Sequence, residues 1–144
     1  MSNNDMADHM KETGFSSLSS GAAIYSVLKS LLGDGTVKPV LSESDVKLPL
    51  VTFRRTDVSS EDSKGYSNRD SVTFEFVVFS DEYGEGVRLA EKVRHALTCR
   101  ITYTPDGTNN RLVMDCVRTV GGEESWQNGA FVQTLRLTYR VSAF

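Results

Sequence analysis

The stretch that decides the fold is Asp70–Leu97, which reads DSVTFEFVVFSDEYGEGVRLAEKVRHAL. Its first part alternates apolar and polar residues, which is the pattern of a β-strand with one buried face. Its second part repeats apolar residues at helical spacing, which indicates an amphipathic helix. The buried side chains are expected to be Val72, Phe74, Phe76 and Val78 on the strand and Val87, Ala90, Val93 and Leu97 on the helix. Thr73 and Glu75 are expected on the opposite face of the strand.

The same two patterns predict the other elements of the chain. A first helix has apolar residues at the i, i+3, i+4 spacing, and Ser19 or Ser20 is expected to cap it. Ser80 or Asp81 is expected to cap the second helix. Pro39 indicates an edge strand, because proline cannot donate a hydrogen bond to a neighbouring strand. The predicted ranges are Gly21–Leu32 for the first helix and Val37–Leu41, Leu50–Thr56, Asp70–Ser80, Cys99–Tyr103, Arg111–Val120 and Ala130–Ser142 for strands.

Two stretches between these elements are rich in turn formers and charges, and we expect loops at Asp57–Arg69 and Gly121–Asn128. The first is long for a compact domain, and it is either a functional segment or a plain hairpin connection. Clean alternation in several strands favours an antiparallel-rich sheet of about four to six strands, with two helices packed on one face. The predicted fold class is therefore α+β, with a disordered tail at residues 1–18 and a single domain at residues 19–144.

Length and composition indicate one folded unit. The chain has 144 residues, of which 39% are hydrophobic and 24% are charged, and its net charge is −3. This charge is too small to indicate nucleic-acid or membrane binding by itself. The N-terminal sequence MSNNDMADHMKETGF lacks the basic start and apolar core of a signal peptide, and no apolar run is long enough to span a membrane. We therefore expect the protein to be made and kept in a cytoplasm.

No motif in the sequence indicates catalysis, a metal or a cofactor. The two histidines are His9, in the predicted tail, and His95, on the polar side of the second helix. Gly84 and Gly86 follow a strand, but a third glycine is missing and acidic flanking residues would repel a phosphate group. Cys116 is expected to be a small buried hydrophobic residue. We expect no enzymatic activity, and hence no catalytic, metal-binding or cofactor-binding residues.

A few residues are candidates for an interface with other proteins. Arg136 and Arg140 share the polar face of the last strand with Thr138. Two arginines separated by threonines are more typical of a solvated or interface surface than of a nucleic-acid site. Trp126, the only tryptophan, either anchors an interface or covers the end of the sheet. Long strands with a polar second face and a charged loop suit a module that packs against copies or partners.

Four segments follow one another along the chain: GAAIYSVLKSLL, LPLVTFRR, DSVTFEFVVFSDEYGEGVRLAEKVRHAL and LRLTYRVSAF. Their order and patterns resemble the tail terminator, or tail completion, proteins of long-tailed bacteriophages and prophages, long labelled as a domain of unknown function. The resemblance spans about Gly21–Phe144 and is strongest in FSDEYGEGVRLAEKVRHAL. The chain departs from the family in the polar extension before Gly21 and in the GTNNR and GGEESWQNG connections.

The resemblance implies a structural role. Such proteins form a homo-hexameric ring at the head-proximal end of a tail tube, stop its polymerisation and join the tail to the head connector. The implied partners are copies of the chain, the tail tube protein and the connector or stopper protein, with DNA only as the passing genome and no membrane. The implied location is the head–tail junction of a virion assembled in a bacterial cytoplasm. The alternative is a small cytoplasmic module that binds a ligand or a protein without enzymatic activity.

The residues expected at an interface lie on the last strands and in the long loop. They are Glu75, Arg136, Thr138, Arg140, Lys64, Tyr66 and Arg69.

Overall fold

The elements with the clearest alternation or helical spacing form where the sequence predicts them. The computed structural model describes residues 15–33, 35–39, 47–60, 69–105 and 107–144. The helices are α1 (Ser20–Leu32), preceded by a 3-10 turn at Ser17–Ser19, and α2 (Tyr83–Leu97). The strands are β1 (Val37–Pro39), β2 (Leu50–Ser60), β3 (Arg69–Ser80), β4 (Ile101–Tyr103), β5 (Leu112–Gln127) and β6 (Ala130–Ala143).

The six strands form one sheet in the order β1-β2-β3-β6-β5-β4. β1 runs parallel to β2, whereas every other neighbouring pair is antiparallel. The α+β class is confirmed, but the sheet is mixed rather than purely antiparallel. Alternation shows which side chains face the core and carries no information on strand direction, so the parallel pair could not be foreseen. Pro39 lies in the edge strand β1, as predicted.

The hydrophobic core lies between one face of the sheet and the two helices. The four apolar residues predicted on β3 are all buried. Of the four predicted on α2, Val93 and Leu97 are buried, whereas Val87 and Ala90 are only half-buried. The buried residues form one continuous cluster with Ile24 and Leu28 of α1. Tyr139 of β6 is buried in the same cluster, and its hydroxyl donates a 2.6 Å hydrogen bond to the Leu97 carbonyl oxygen. Burial raises the pKa of this phenol above its ordinary value. Both helices therefore cover the same face of the sheet.

The predicted loop at Asp57–Arg69 is wrong at both ends. β2 continues through Asp57 to Ser60, and β3 begins at Arg69. Asp57 pairs with Thr73 and Ser60 pairs with Asp70 in the β2–β3 ladder. Backbone hydrogen bonds between strands stabilise any residue type, so pairing here overrides a local composition that favours turns. Residues 61–68 lie outside the described part of the chain.

The predicted loop at Gly121–Asn128 is also wrong, because β5 continues to Gln127. The connection to β6 is a tight turn at Asn128 and Gly129, whose φ angles are 50° and 80°. Two successive residues at positive φ form the turn that best matches the twist of a hairpin, and Asn-Gly is its preferred sequence. The Asn-Gly pair therefore marks the hairpin turn, whereas Gly121 and Gly122 lie within β5.

Local predictions at the helix starts and at the cysteine were partly wrong. Ser19 precedes α1 without a side-chain capping bond, and the Ser20 hydroxyl donates to the Ser17 carbonyl oxygen. The N-cap residue of α2 is Glu82 rather than Ser80 or Asp81, and its side chain makes no capping bond. The Ser80 hydroxyl accepts a 3.2 Å hydrogen bond from the Glu82 N–H just before the helix. Cys116 is exposed rather than buried, because it lies at a β-bulge with φ of 49°. A bulge turns a side chain out of the normal alternation.

Of the tail predicted at residues 1–18, residues 1–14 lie outside the described part of the chain. Phe15 packs against the core and Ser17 is buried.

Candidate functional site

The sheet face opposite the helices carries the candidate site, and we call it the polar face. Side chains of β2, β3, β6 and β5 lie there in rows that cross the sheet, because paired residues point to the same side. The first row contains Arg54, Glu75, Arg136 and Gly121, the second Asp57, Thr73, Thr138 and Arg118, and the third Ser59, Ser71, Arg140 and Asp115. The polar face therefore presents acidic, basic and hydroxyl side chains in defined rows.

Glu75 is the centre of the first row. Its carboxylate accepts a 3.2 Å hydrogen bond from Arg54 Nε and a 3.0 Å hydrogen bond from Arg136 Nε. The Glu75 side chain is only 14% exposed, so water screens these two contacts less than it would on an open surface. Arg136 also reaches Glu123 of β5, at 3.4 Å between Nη2 and Oε1. A network of four charges thus joins four adjacent strands and holds their side chains in place.

Side-chain contacts also link residues within each of the other two rows. The hydroxyls of Thr73 and Thr138 lie 2.7 Å apart, at hydrogen-bond distance. Arg140 binds Asp115 through two parallel hydrogen bonds, 2.9 Å from Nε to Oδ1 and 3.2 Å from Nη2 to Oδ2. The hydrogen bonds from this guanidinium hold the pKa of the Asp115 carboxyl below its ordinary value. The bidentate geometry fixes both side chains.

The structure brings four of the predicted interface residues together, namely Glu75, Arg136, Thr138 and Arg140. Arg69 is exposed at the start of β3, opposite Ser142 of β6. Lys64 and Tyr66 lie outside the described residues. The role of all seven residues at an interface remains a prediction.

Sequence reasoning missed two carboxylates that pair with these arginines, Glu123 with Arg136 and Asp115 with Arg140. Both lie on β5, and the predicted loop at residues 121–128 hid Glu123. The Asn-Gly turn at residues 128–129 would have extended β5 and placed Glu123 opposite Thr134, beside Arg136.

His95 and the glycines Gly84 and Gly86 are residues considered above for a catalytic or phosphate site, and all lie in the described ranges. No group of three or more histidine, cysteine or acidic side chains in these ranges is placed to hold a metal ion. His95 is exposed in the last turn of α2. Gly86 is buried inside α2, where a Cβ atom would stand 3.2 Å from the Ser80 Cβ, so its small size serves helix–strand packing. No helix in the described ranges has the length and apolar character needed to cross a membrane.

An aromatic group lies at the hairpin end of the sheet. Phe131 of β6 contacts Trp126 edge-on at 4.6 Å between ring centroids and Tyr83 at 5.6 Å. The Tyr83 hydroxyl donates a 2.6 Å hydrogen bond to Glu124, which also accepts one from Gln133. These bonds lower the pKa of the Glu124 carboxyl, and the carboxylate raises the pKa of Tyr83. Trp126 thus covers Phe131, and because its own side chain is 58% exposed it also presents a surface to solvent.

Comparison with known proteins supplies one finding about the fold. No family model matches the chain, and no curated protein matches its sequence. Among solved structures, the fold matches a chain of the virion of a native gene transfer agent particle, with a TM-score of 0.59 and 17% sequence identity. The match covers 85% of this chain and 92% of that chain. At this identity the likeness shows a shared fold across almost the whole of both chains.

Proposed function

We propose that this chain is a structural protein of a phage-like particle that forms a ring at the head-proximal end of the tail tube. In this role it ends tail polymerisation and joins the tail to the head connector. The observation that supports the proposal is the shared fold with a chain of a gene transfer agent virion, over 85% of one chain and 92% of the other. The element order that resembles tail terminators supports it independently.

The polar face suits a structural role. Three of its four arginines are engaged by carboxylates of the same chain: Arg54 and Arg136 contact Glu75, and Arg140 contacts Asp115. A surface on which most guanidiniums are already paired has little free positive charge with which to hold a nucleic-acid backbone. We therefore expect passing DNA to bind this face only weakly. We propose Glu75, Arg136, Thr138 and Arg140 as residues that face a neighbouring subunit or the lumen of the ring.

The proposed partners are copies of this chain, the tail tube protein and the connector or stopper protein, at the head–tail junction of a virion. No enzymatic step and no cofactor belongs to the proposal. A ring requires a heterologous interface that repeats until it closes, so the oligomeric state of the chain tests the proposal.

The test is native mass spectrometry with negative-stain imaging of the full chain, alone and mixed with the tail tube protein of the same particle. We expect closed rings of one stoichiometry, with hexamers as the principal species, that bind one end of the tube. A strict monomer at high concentration, with no ring even after mixing with the tube protein, would contradict the proposal.

A further inference from the structure

Two long strands of the sheet have outer edges that are only partly covered. β1 pairs with β2 only at Val51–Phe53, and β4 pairs with β5 only at Leu112–Met114. Among the described residues, no strand pairs with the outer edge of β2 over Arg54–Ser60 or with that of β5 over Asp115–Gly121. Each stretch is roughly 20 Å long at the usual rise per residue. Unpaired strand edges of this length invite pairing with another chain.

The two open edges have the strand directions and the row positions needed to pair with each other. β2 and β5 run antiparallel to each other, because three antiparallel junctions separate them. A rotation about an axis along the strands preserves strand direction, so β5 of one copy would meet β2 of the next as an antiparallel neighbour. The rows of the polar face place Arg54 level with Gly121 and Ser59 level with Asp115. The two open stretches therefore span the same rows of the sheet.

The side chains along the two edges are complementary. Asp57 on β2 and Arg118 on β5 occupy the same row and are both exposed. Within the described ranges, neither side chain has an ion-pair partner. Two of the exposed apolar residues also lie on these strands, Val58 at 36% and Val120 at 46% exposure. Pairing the edges would join an acid to a base and remove apolar surface from water.

β-bulges on both strands can be interpreted in two ways. One lies at Thr56 of β2 and two lie in β5, around Cys116 and Val120. Bulges can blunt an edge and so keep a monomer from aggregating. They also bend a strand and increase its twist, which a sheet needs before it can close on itself. The unpaired charges in matching rows favour the second interpretation.

We propose that the open edge of β5 in one copy pairs with the open edge of β2 in the next, with Arg118 facing Asp57 across the junction. The sheet then continues from subunit to subunit through these two stretches. This inference rests on the proposed function, because it assumes that the chain assembles with itself.

Charge reversal tests the junction directly. Asp57→Arg and Arg118→Asp are made singly and together in the full chain, and self-association is measured by sedimentation velocity. Each single reversal places like charges together and should weaken association about tenfold or more. The double variant restores an opposite pair and should recover most of the loss. Glu91→Arg, an exposed reversal on α2, is the matched control and should assemble like the unmodified chain. Far-UV circular dichroism checks that each variant is folded.

Amide hydrogen exchange supplies a second readout that does not depend on substitution. On assembly, protection should rise in residues 54–60 and 115–121 and stay unchanged on the exposed face of α2. Assembly with unchanged protection at both edges, or a double variant no better than the single ones, would overturn the inference and leave the ring proposal standing. An unmodified chain that never self-associates would overturn both. Protection of one edge only by the tube protein would show that the occupant is not a second copy.

Discussion

The Asp115–Arg140 pair gives the molecule a predictable response to acid. The pKa of Asp115 is lowered in the folded chain, so its contribution to stability is complete above the ordinary value of 3.8 and is lost as the pH falls through the folded-state value. Asp115→Asn should lower the free energy of unfolding by about 1 kcal/mol at pH 7, the upper range for a partly exposed pair. Urea unfolding at a series of pH values measures this difference, which should shrink steadily below about pH 4. A difference that stays constant down to pH 2 would contradict the role assigned to the pair.

Cys116 occupies a backbone conformation that disfavours its own side chain. Its φ is 49°, a region in which a Cβ atom costs about 1 kcal/mol or more. Cys116→Gly should therefore raise the free energy of unfolding by about 0.5–1 kcal/mol, after allowance for the greater flexibility of glycine in the unfolded chain. Cys116→Ser keeps the Cβ atom and is the matched control, so it should give no such gain. Equal stability of the glycine and serine variants in urea would show that the conformation is not strained.

At the scale of elements, the sequence predicted structure well where burial dominates. The alternation of β3 and the stripes of the two helices identified the core because buried apolar side chains leave a period in the sequence. The lengths of β2 and β5 were missed because their outer halves are exposed, and exposed strand residues need not alternate between apolar and polar types. The open strand edges were missed for the same reason, since they depend on where the short strands β1 and β4 stop. Of the polar face, the residues on β3 and β6 were found and those on β5 were not.

Gly122 shows why a glycine pair belongs inside β5. A Cβ atom at this position would lie 2.6 Å from the backbone oxygen of Thr134 in β6. Gly122→Ala should force the two strands apart and lower the free energy of unfolding by about 1–3 kcal/mol. Gly35→Ala is the matched control, because no atom lies within 4 Å of its added Cβ, and it should change stability by less than about 0.5 kcal/mol. Equal midpoints in urea for the two variants would mean that the strands approach less closely than the structure shows.

At the scale of the whole molecule, stability should fall from the core toward the β5–β6 turn. One core cluster joins both helices to the sheet, whereas most of β5 beyond Arg118 is exposed. Regions with few buried contacts open before the rest of a protein unfolds. The only tryptophan, Trp126, lies in this outer part and contacts Phe131. Its fluorescence should therefore change at a lower urea concentration than far-UV circular dichroism, which reports on all strands and helices.

The hydrogen bond from Tyr83 to Glu124 fastens this outer part of the hairpin to the start of α2. Tyr83→Phe removes the bond and retains the ring contact with Phe131, so it should lower the fluorescence midpoint while the circular dichroism midpoint moves little. The gap between the two transitions should thus widen. Coincident transitions in both the unmodified chain and the variant would show that the hairpin end unfolds only with the core. In that case the outer half of β5 is already rigid before assembly, and pairing with a neighbouring copy would require no ordering of that strand.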